Sequence, residues 1–143
     1  MYQAYISDED TIFVRHYGTY EGAEGFSAVI SILESSTDTP RIKGVCLDIQ
    51  AVTDVSLHDT DRANATFLVR KLAGFGQEIS SICIVEVYDP ENVAINEVFV
   101  ERDRLLASAV LDLKTFQRVP SVPEALKALG LPVDYCIEYP PEK

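Results

Sequence analysis

The stretch Val45-Cys46-Leu47-Asp48-Ile49 is apolar at every position except Asp48. A short apolar run bounded by polar residues suits a parallel strand covered by helices. The sequence turns polar over Gln50 to Ser56. Leu57 to Phe75 then carries Ala65, Leu68, Leu72 and Phe75 on one helical face, with Gly74 and Gly76 at its exit. Ile82 to Val87 is a second buried strand. Strand, amphipathic helix, strand is a crossover unit, and such units are right-handed and build a parallel sheet.

The pattern runs outward in both directions. Tyr2 to Ile6 and Thr11 to Tyr17 flank the polar Ser7-Asp8-Glu9-Asp10, which is hairpin chemistry. Ile12, Val14 and His16 share one face of the second strand. Gly18-Thr19-Tyr20-Glu21 is expected to start a helix with Thr19 as its cap, and Phe26, Val29, Ile30 and Leu33 recur at helical spacing. Asp89-Pro90-Glu91 is expected to open a third helix, with Asp89 as cap, Pro90 in the first position and Glu91 favouring the positive end. Ile95, Val98, Phe99, Leu105 and Leu106 supply its apolar face. Leu113 to Val119 reads as a strand and Ser121-Val122-Pro123-Glu124 as a capping box, while Gly130 ends the short helix that follows. Val133 to Tyr139 is extended, with a last strand as an option. The expectation is one α/β domain over residues 1–143: a mixed sheet, begun by a hairpin and continued by β-α repeats, packed with about four helices.

The chain has 143 residues, 47% of them hydrophobic and 24% charged, which is enough to bury a core. No apolar run approaches the roughly 18 residues of a membrane span. The first residues lack the basic and apolar regions of a signal peptide, so a cytoplasmic protein is expected. A formal net charge of −11 opposes nucleic acid and anionic membranes. It suits a protein partner with a basic surface, or a neutral small molecule. Cys46, Cys83 and Cys136 are too few and too scattered for a disulfide framework, and no Cys-x-x-Cys or paired histidine spacing suggests zinc. Gly22 and Gly25 are not followed by the Lys-Ser/Thr of a phosphate loop. No cofactor or metal is expected.

Three anchors follow one another along nearly the whole chain: Gly44-Val45-Cys46-Leu47-Asp48; Ile82-Cys83-Ile84-Val85 with Asp89-Pro90; and Phe116-Gln117-Arg118-Val119 with Glu124-Ala125-Leu126. Their order resembles the SpoIIAA-like (STAS/SEC14-related) family of small bacterial proteins. The resemblance implies a mixed sheet packed against helices, in a family whose members mostly lack a defined biochemical activity. In anti-sigma-factor antagonists of the STAS class, the turn after the corresponding strand carries Asp-Ser followed by Ser/Thr-Gly, and a serine there is phosphorylated to control partner binding. Here Asp48 matches the strand, but the turn reads Val52-Thr53-Asp54-Val55-Ser56-Leu57-His58. The Asp-Ser pair and the glycine are absent, so phosphorylation is not carried over.

Ser56-Leu57-His58-Asp59 fits a capping pattern, with Ser56 as the cap of the second helix. His58 lies among Asp54, Asp59 and Asp61, but no second histidine is near, and an acidic first helical turn accounts for the group. Asp48, alone in its apolar strand, is expected to hold a neighbouring turn through backbone N–H groups. Glu97, Glu101, Arg102, Asp103 and Arg104 read as a solvated helix face. In open α/β sheets, ligands bind beyond the carboxyl ends of the parallel strands. That rule gathers the loops Gln50 to Ser56, Tyr88 to Asn92 and Val119 to Ser121, and makes Asp54, Ser56, His58, Tyr88, Asp89, Asn92 and Ser121 a candidate partner or ligand surface.

No catalytic residue is assigned, because no nucleophile–base pair and no Gly-x-Ser-x-Gly is visible. The expected function is a non-enzymatic interaction or regulatory module. A carrier or sensor of a small apolar molecule, such as an acyl or isoprenoid chain, is the alternative, and a small hydrolase comes third. Two-fold dimers are the commonest assembly, so a homodimer is the expected oligomer.

Overall fold

The computed structural model describes residues 1–22, 24–36, 41–56, 61–109 and 116–140. Its strands are β1 (Tyr2–Ile6), β2 (Thr11–Glu21), β3 (Gly44–Ser56), β4 (Cys83–Val87) and β5 (Phe116–Val119). Its helices are α1 (Glu24–Ser35), α2 (Asp61–Gly74), α3 (Val93–Ala109) and α4 (Val122–Ala128). The strands form one sheet in the order β1-β2-β3-β4-β5, with β1 antiparallel to β2 and every other pair parallel. This is the mixed α/β sheet that the hairpin and the alternating strands and helices predict.

The first turn is built by its polar residues. The Ser7 hydroxyl accepts from the backbone N–H of Glu9 and of Thr11, and Asp10 takes the left-handed conformation at φ 57°. The parallel crossovers all step across the sheet in one direction, so right-handedness puts their helices on one face. Ile12, Val14, Val45, Leu47 and Ile84 project there and pack against Phe26, Val29 and Leu33 of α1 and Leu68 and Leu72 of α2. Alternate residues Phe13, Cys46, Val85 and Val87 project to the other face, beneath Ala125 and Leu126 of α4 and the segment 131–139. Aromatic contacts fasten that segment: Tyr139 meets Tyr5 edge-on at 5.7 Å, and Tyr135 stacks on Phe13 at 5.6 Å. No further strand forms within residues 131–140.

Both predicted glycine exits are present. Gly76 and Gly130 each sit at φ 74°. Gly76 N–H reaches Ala73 and Gln77 N–H reaches Leu72, closing α2; Gly130 and Leu131 do the same for α4 onto Lys127 and Leu126. Ser121 caps α4 by accepting from Glu124 N–H, with a proline in the first turn.

Three expectations are corrected. Gly18-Thr19-Tyr20-Glu21 does not start a helix: β2 continues through it, Thr19 pairs with Asp54, and α1 begins at Glu24. Gln50 to Ser56 is not a loop: β3 runs for 13 residues and pairs with β2 to its end. Register shifts between Arg15 and Tyr17 and between Gly18 and Thr19, with Gly18 at φ 64°, let the ribbon bend and continue. Asp89 does not cap α3. Its carboxylate accepts from Glu91 N–H in a turn, and Asn92 takes the cap position, accepting from Ile95 N–H at 3.4 Å.

Candidate functional site

The level at which β3 leaves its pairing with β4 organises the site. Asp48 is opposite Val87, the last residue of β4. Beyond it β2 and β3 continue as a two-stranded ribbon, whose Tyr20, Ile49 and Val52 form a small core with Phe99 of α3. Val55, Tyr88 and Ile95 pack against that core. The ribbon therefore backs α3.

Between α3 and the sheet lies a buried charged layer. Glu86 stands in the apolar strand β4, on the same face as Ile84, and is 0% exposed. Arg102, three residues from Phe99 and seven from Ile95, falls on the inward stripe of α3 and is 6% exposed. The expectation that Arg102 and Asp103 belong to a solvated charge run is thereby corrected. The Arg102 guanidinium donates to Tyr20 Oη at 2.7 Å and to Asp103 Oδ1 at 2.9 Å, and stands 3.5 Å from Glu86 Oε2. It lies over the rings of Phe99 and Tyr20, 4.8 and 5.4 Å from their centroids. Arg118 of β5 donates to Glu86 Oε1 at 3.2 Å and rests on Tyr88, 4.6 Å from its centroid. Tyr20 Oη also accepts from Gly25 N–H at 3.0 Å, which ties α1 into the same layer.

Two arginines and two carboxylates balance formally, but burial does not treat them equally. Desolvation raises the Glu86 carboxyl, and the Asp103 charge raises it further; Arg102 and Arg118 oppose them and lose, leaving Glu86 at about 8. Arg102 is driven the other way, held cationic by Tyr20, Asp103 and Glu86 against its burial. Next to this layer, His16 is 0% exposed and its Nδ1 lies 2.5 Å from Glu24 Oε2. Burial pushes the proton off the ring and Glu24 draws it on; burial wins, so the histidine pKa is lowered and a neutral ring donates Nδ1–H to Glu24. Histidine beside a carboxylate is also the pairing of a general base, but His16 Nε2 is buried, has no hydrogen-bond partner among the described residues and meets no solvent from which a substrate would come.

Above this layer, α3 turns Val93, Val98 and Val100 to solvent, at 62%, 37% and 49% exposure. Val98 and Leu105, expected on the buried face, are both exposed. Val93 and Val100 form one stripe, Val98 lies on the opposite flank, and Glu97 and Glu101 occupy the crest between them. Glu101 pairs with Arg104 at 2.7 Å on the surface.

The residues singled out in the sequence fall into two groups. Tyr88, Asp89 and Asn92 lie together at the end of β4, where Tyr88 N–H bonds to Val119 O; Ser121 follows two residues after Val119. Asn96 of α3 donates to Asp89 O at 2.7 Å and secures the turn to the helix. Asp54 and Ser56 lie instead near the far end of the ribbon, opposite Thr19 and Glu21. The Ser56 carbonyl accepts from Gly22 N–H, and the Asp54 carboxylate from Val55 N–H. His58 and the capping motif that runs on from Ser56 lie outside the described residues. Asp48 projects to the opposite face of the sheet, where its carboxylate accepts from Gln50 N–H at 3.0 Å. Glu86, Arg102 and Arg118 escaped the sequence reading, although their positions on inward stripes were signal enough to find them.

Among the described residues no cluster of His, Cys, Asp or Glu could hold a metal ion, and no helix is long and apolar enough to cross a membrane. The apolar core between α1, α2 and the sheet encloses about 20 Å³, lined by Phe26, Val45, Leu68 and Leu72 among others. That is room for about one water and far below the roughly 300 Å³ of a small ligand pocket.

No protein-family model matches the chain, and no curated protein matches it. Among solved structures, the chain is similar to the anti-sigma factor antagonist SpoIIAA in its unphosphorylated form: 8% identity, TM-score 0.49, with 91% of this chain and 98% of that one covered. It is also similar to the Bacillus cell fate determinant SpoIIAA in the phosphorylated form, at 9% identity and TM-score 0.43, over 89% of this chain and 97% of that one.

Proposed function

We propose that this protein is a non-enzymatic interaction module that docks a protein partner on the outer face of α3. The observation that carries this reading is the exposed Val93, Val98 and Val100 around an acidic crest. A surface helix ordinarily turns polar residues outward. Here apolar side chains flank Glu97 and Glu101, on a chain of net charge −11. A partner surface that pairs apolar side chains with lysine or arginine complements it. The turn Tyr88 to Asn92 continues this surface past the first residue of α3, with Ser121 on the neighbouring connection, and Asp54 and Ser56 supply a second contact along the ribbon. The buried layer makes the face rigid: Arg102 and Phe99 fix α3 from beneath, so little conformational freedom is lost on docking.

The test is affinity capture from lysate of the source organism with the wild-type chain and with a Val98→Lys/Val100→Lys variant. Both positions are exposed, so the variant keeps its fold, which circular dichroism checks. A partner retained by the wild type and lost by the variant is the expected result. A partner held equally by both would remove α3 from the interface. An Asp54→Lys variant asks the same question of the ribbon.

A further inference from the structure

The two edges of the sheet differ. β5 is only 4 residues long and carries Arg118. Short strands and charged side chains keep a sheet edge from pairing with another chain. β1, at the other edge, has neither charge nor proline from Tyr2 to Ser7, in a chain of net charge −11. Its pairing with β2 runs in register without a bulge. Ser7 N–H bonds to Thr11 O, and Tyr17 N–H to Met1 O. In an antiparallel pair, alternate residues turn both backbone groups to the neighbouring strand. Met1 and Ser7 are bonded to β2, so Gln3 and Tyr5 between them are bonded too. Tyr2, Ala4 and Ile6 therefore turn their N–H and C=O groups outward. Among the described residues, no protein group bonds to these outward groups.

The helix beside this edge is uncharged on the same side. α1 packs on both β1 and β2. Its two carboxylates are engaged elsewhere, Glu24 with His16 and Glu34 with Lys71 of α2. Helical spacing puts Ala28, Ile32 and Ser35 on the flank away from Glu34, toward the β1 edge. We infer that this edge pairs with β1 of a second copy, antiparallel about a two-fold axis at Ala4. Ala4 then exchanges both hydrogen bonds with Ala4 of the second copy, and Tyr2 with its Ile6, so every outward group is bonded. Tyr2 beside Ile6 is an aromatic and β-branched cross-strand pair, a kind that stabilises sheets. No charge on either strand opposes the approach of two acidic chains. The axis stands perpendicular to the sheet, so the two α1 helices lie side by side on one face. Each straddles β1 and β2, which puts them two strand spacings apart, about 9.6 Å, within the roughly 8–10 Å of packed helices. A pair of short strands alone buries too little for a stable dimer, and the α1 contact enlarges it. The pairing leaves the proposed docking surface free, since α3 joins β4 to β5 at the opposite edge.

The test is sedimentation velocity of the full chain from about 10 μM to about 1 mM, a range suited to a small interface, with amide exchange read by NMR. The expected result is a monomer–dimer equilibrium. The Tyr2, Ala4 and Ile6 amides should exchange severalfold more slowly as the concentration rises, while those of Gln3 and Tyr5 stay protected throughout. In a mixture of isotope-labelled and unlabelled chains, Gln3 Hα should show a cross-relaxation contact to Tyr5 Hα of the second copy, as a non-hydrogen-bonded pair does. Ala4→Pro removes an outward donor without touching the β2 ladder and should weaken dimerisation about tenfold or more. Its thermal melt checks folding, and the exchange pattern of the wild type decides the matter without it. The Val98→Lys/Val100→Lys variant should dimerise like the wild type, whatever its effect on docking. Four results would each overturn the inference: a monomer at every concentration; a dimer whose Tyr2, Ala4 and Ile6 amides exchange as in the monomer; a dimer unchanged in a folded Ala4→Pro; or a dimer lost in Val98→Lys/Val100→Lys, which places the contact on α3.

Discussion

The buried layer under α3 makes a strong prediction about pH. Glu86 is fully buried, with its carboxyl raised from 4.5 to about 8 by desolvation first and by Asp103 second. A carboxyl with a higher pKa folded than unfolded holds its proton more firmly in the native state across that whole interval. Its contribution to stability is fully present below about 4.5 and declines as the pH climbs through about 8. One proton sets the ceiling of the slope at about 1.4 kcal/mol per pH unit. Against a total of about 5–15 kcal/mol for an ordinary domain, a few pH units of such decline are readily measured. Glu86→Gln keeps the shape and an acceptor for Arg118 Nε while removing the titration. Urea unfolding followed by circular dichroism, run from about pH 5 to about pH 8, should show the wild type losing stability relative to the variant as the pH rises. Other groups that titrate in this range, His16 among them, are common to both proteins and drop out of the difference. Parallel curves for the two proteins would refute the reasoning: Glu86 would then ionise as easily folded as unfolded, and the two arginines would outweigh burial.

Three further outcomes are expected. Arg102→Met leaves Glu86 and Asp103 with Arg118 alone and should cost about 3–5 kcal/mol in urea unfolding; joining it to Glu86→Gln should recover part of the loss, giving a coupling energy in a double-mutant cycle. His16 is buried neutral, so its lowered pKa makes the protein lose stability as the pH falls below about 6.5, where the unfolded chain takes up the proton; His16→Gln should flatten that acid limb in melts at about pH 5 and about pH 7. Ser121→Ala removes the acceptor for Glu124 N–H and should cost about 1 kcal/mol, read as a lower urea midpoint with unchanged slope.

Much of the fold was legible in the sequence because local and long-range preferences agree there. The polar run Ser7 to Asp10 makes a turn wherever it stands, and Ser121 to Glu124 and Gly130 mark both ends of α4 by backbone chemistry alone. The ribbon was not legible. Gly18 and Gln50 look like breaks, and what keeps their strands going is pairing between residues far apart in sequence, Thr19 with Asp54 and Glu21 with Ser56. At Asp89 two cap residues compete three positions apart, and Asn92 prevails because Asp89 is taken up by the turn. The buried charged layer was legible in principle. A run of charges on a helix suggests exposure, whereas the spacing of Arg102 from Phe99 and Ile95, and the parity of Glu86 with Ile84, place both inward. A polar side chain on an inward stripe marks a network to look for.

The division of labour between the two faces has a consequence for how the chain is made. The helices over the first face arise within the crossovers, so each new strand emerges with its cover already attached. The second face has no such arrangement: Phe13, Cys46 and Val85 wait for α4 and for Tyr135 and Tyr139. During synthesis, with early segments folding first, an apolar surface built by the first two-thirds of the chain stays bare until residues 122–139 leave the ribosome. A stalled or clipped nascent chain would carry that surface into the cell, where chaperones or proteases would meet it first.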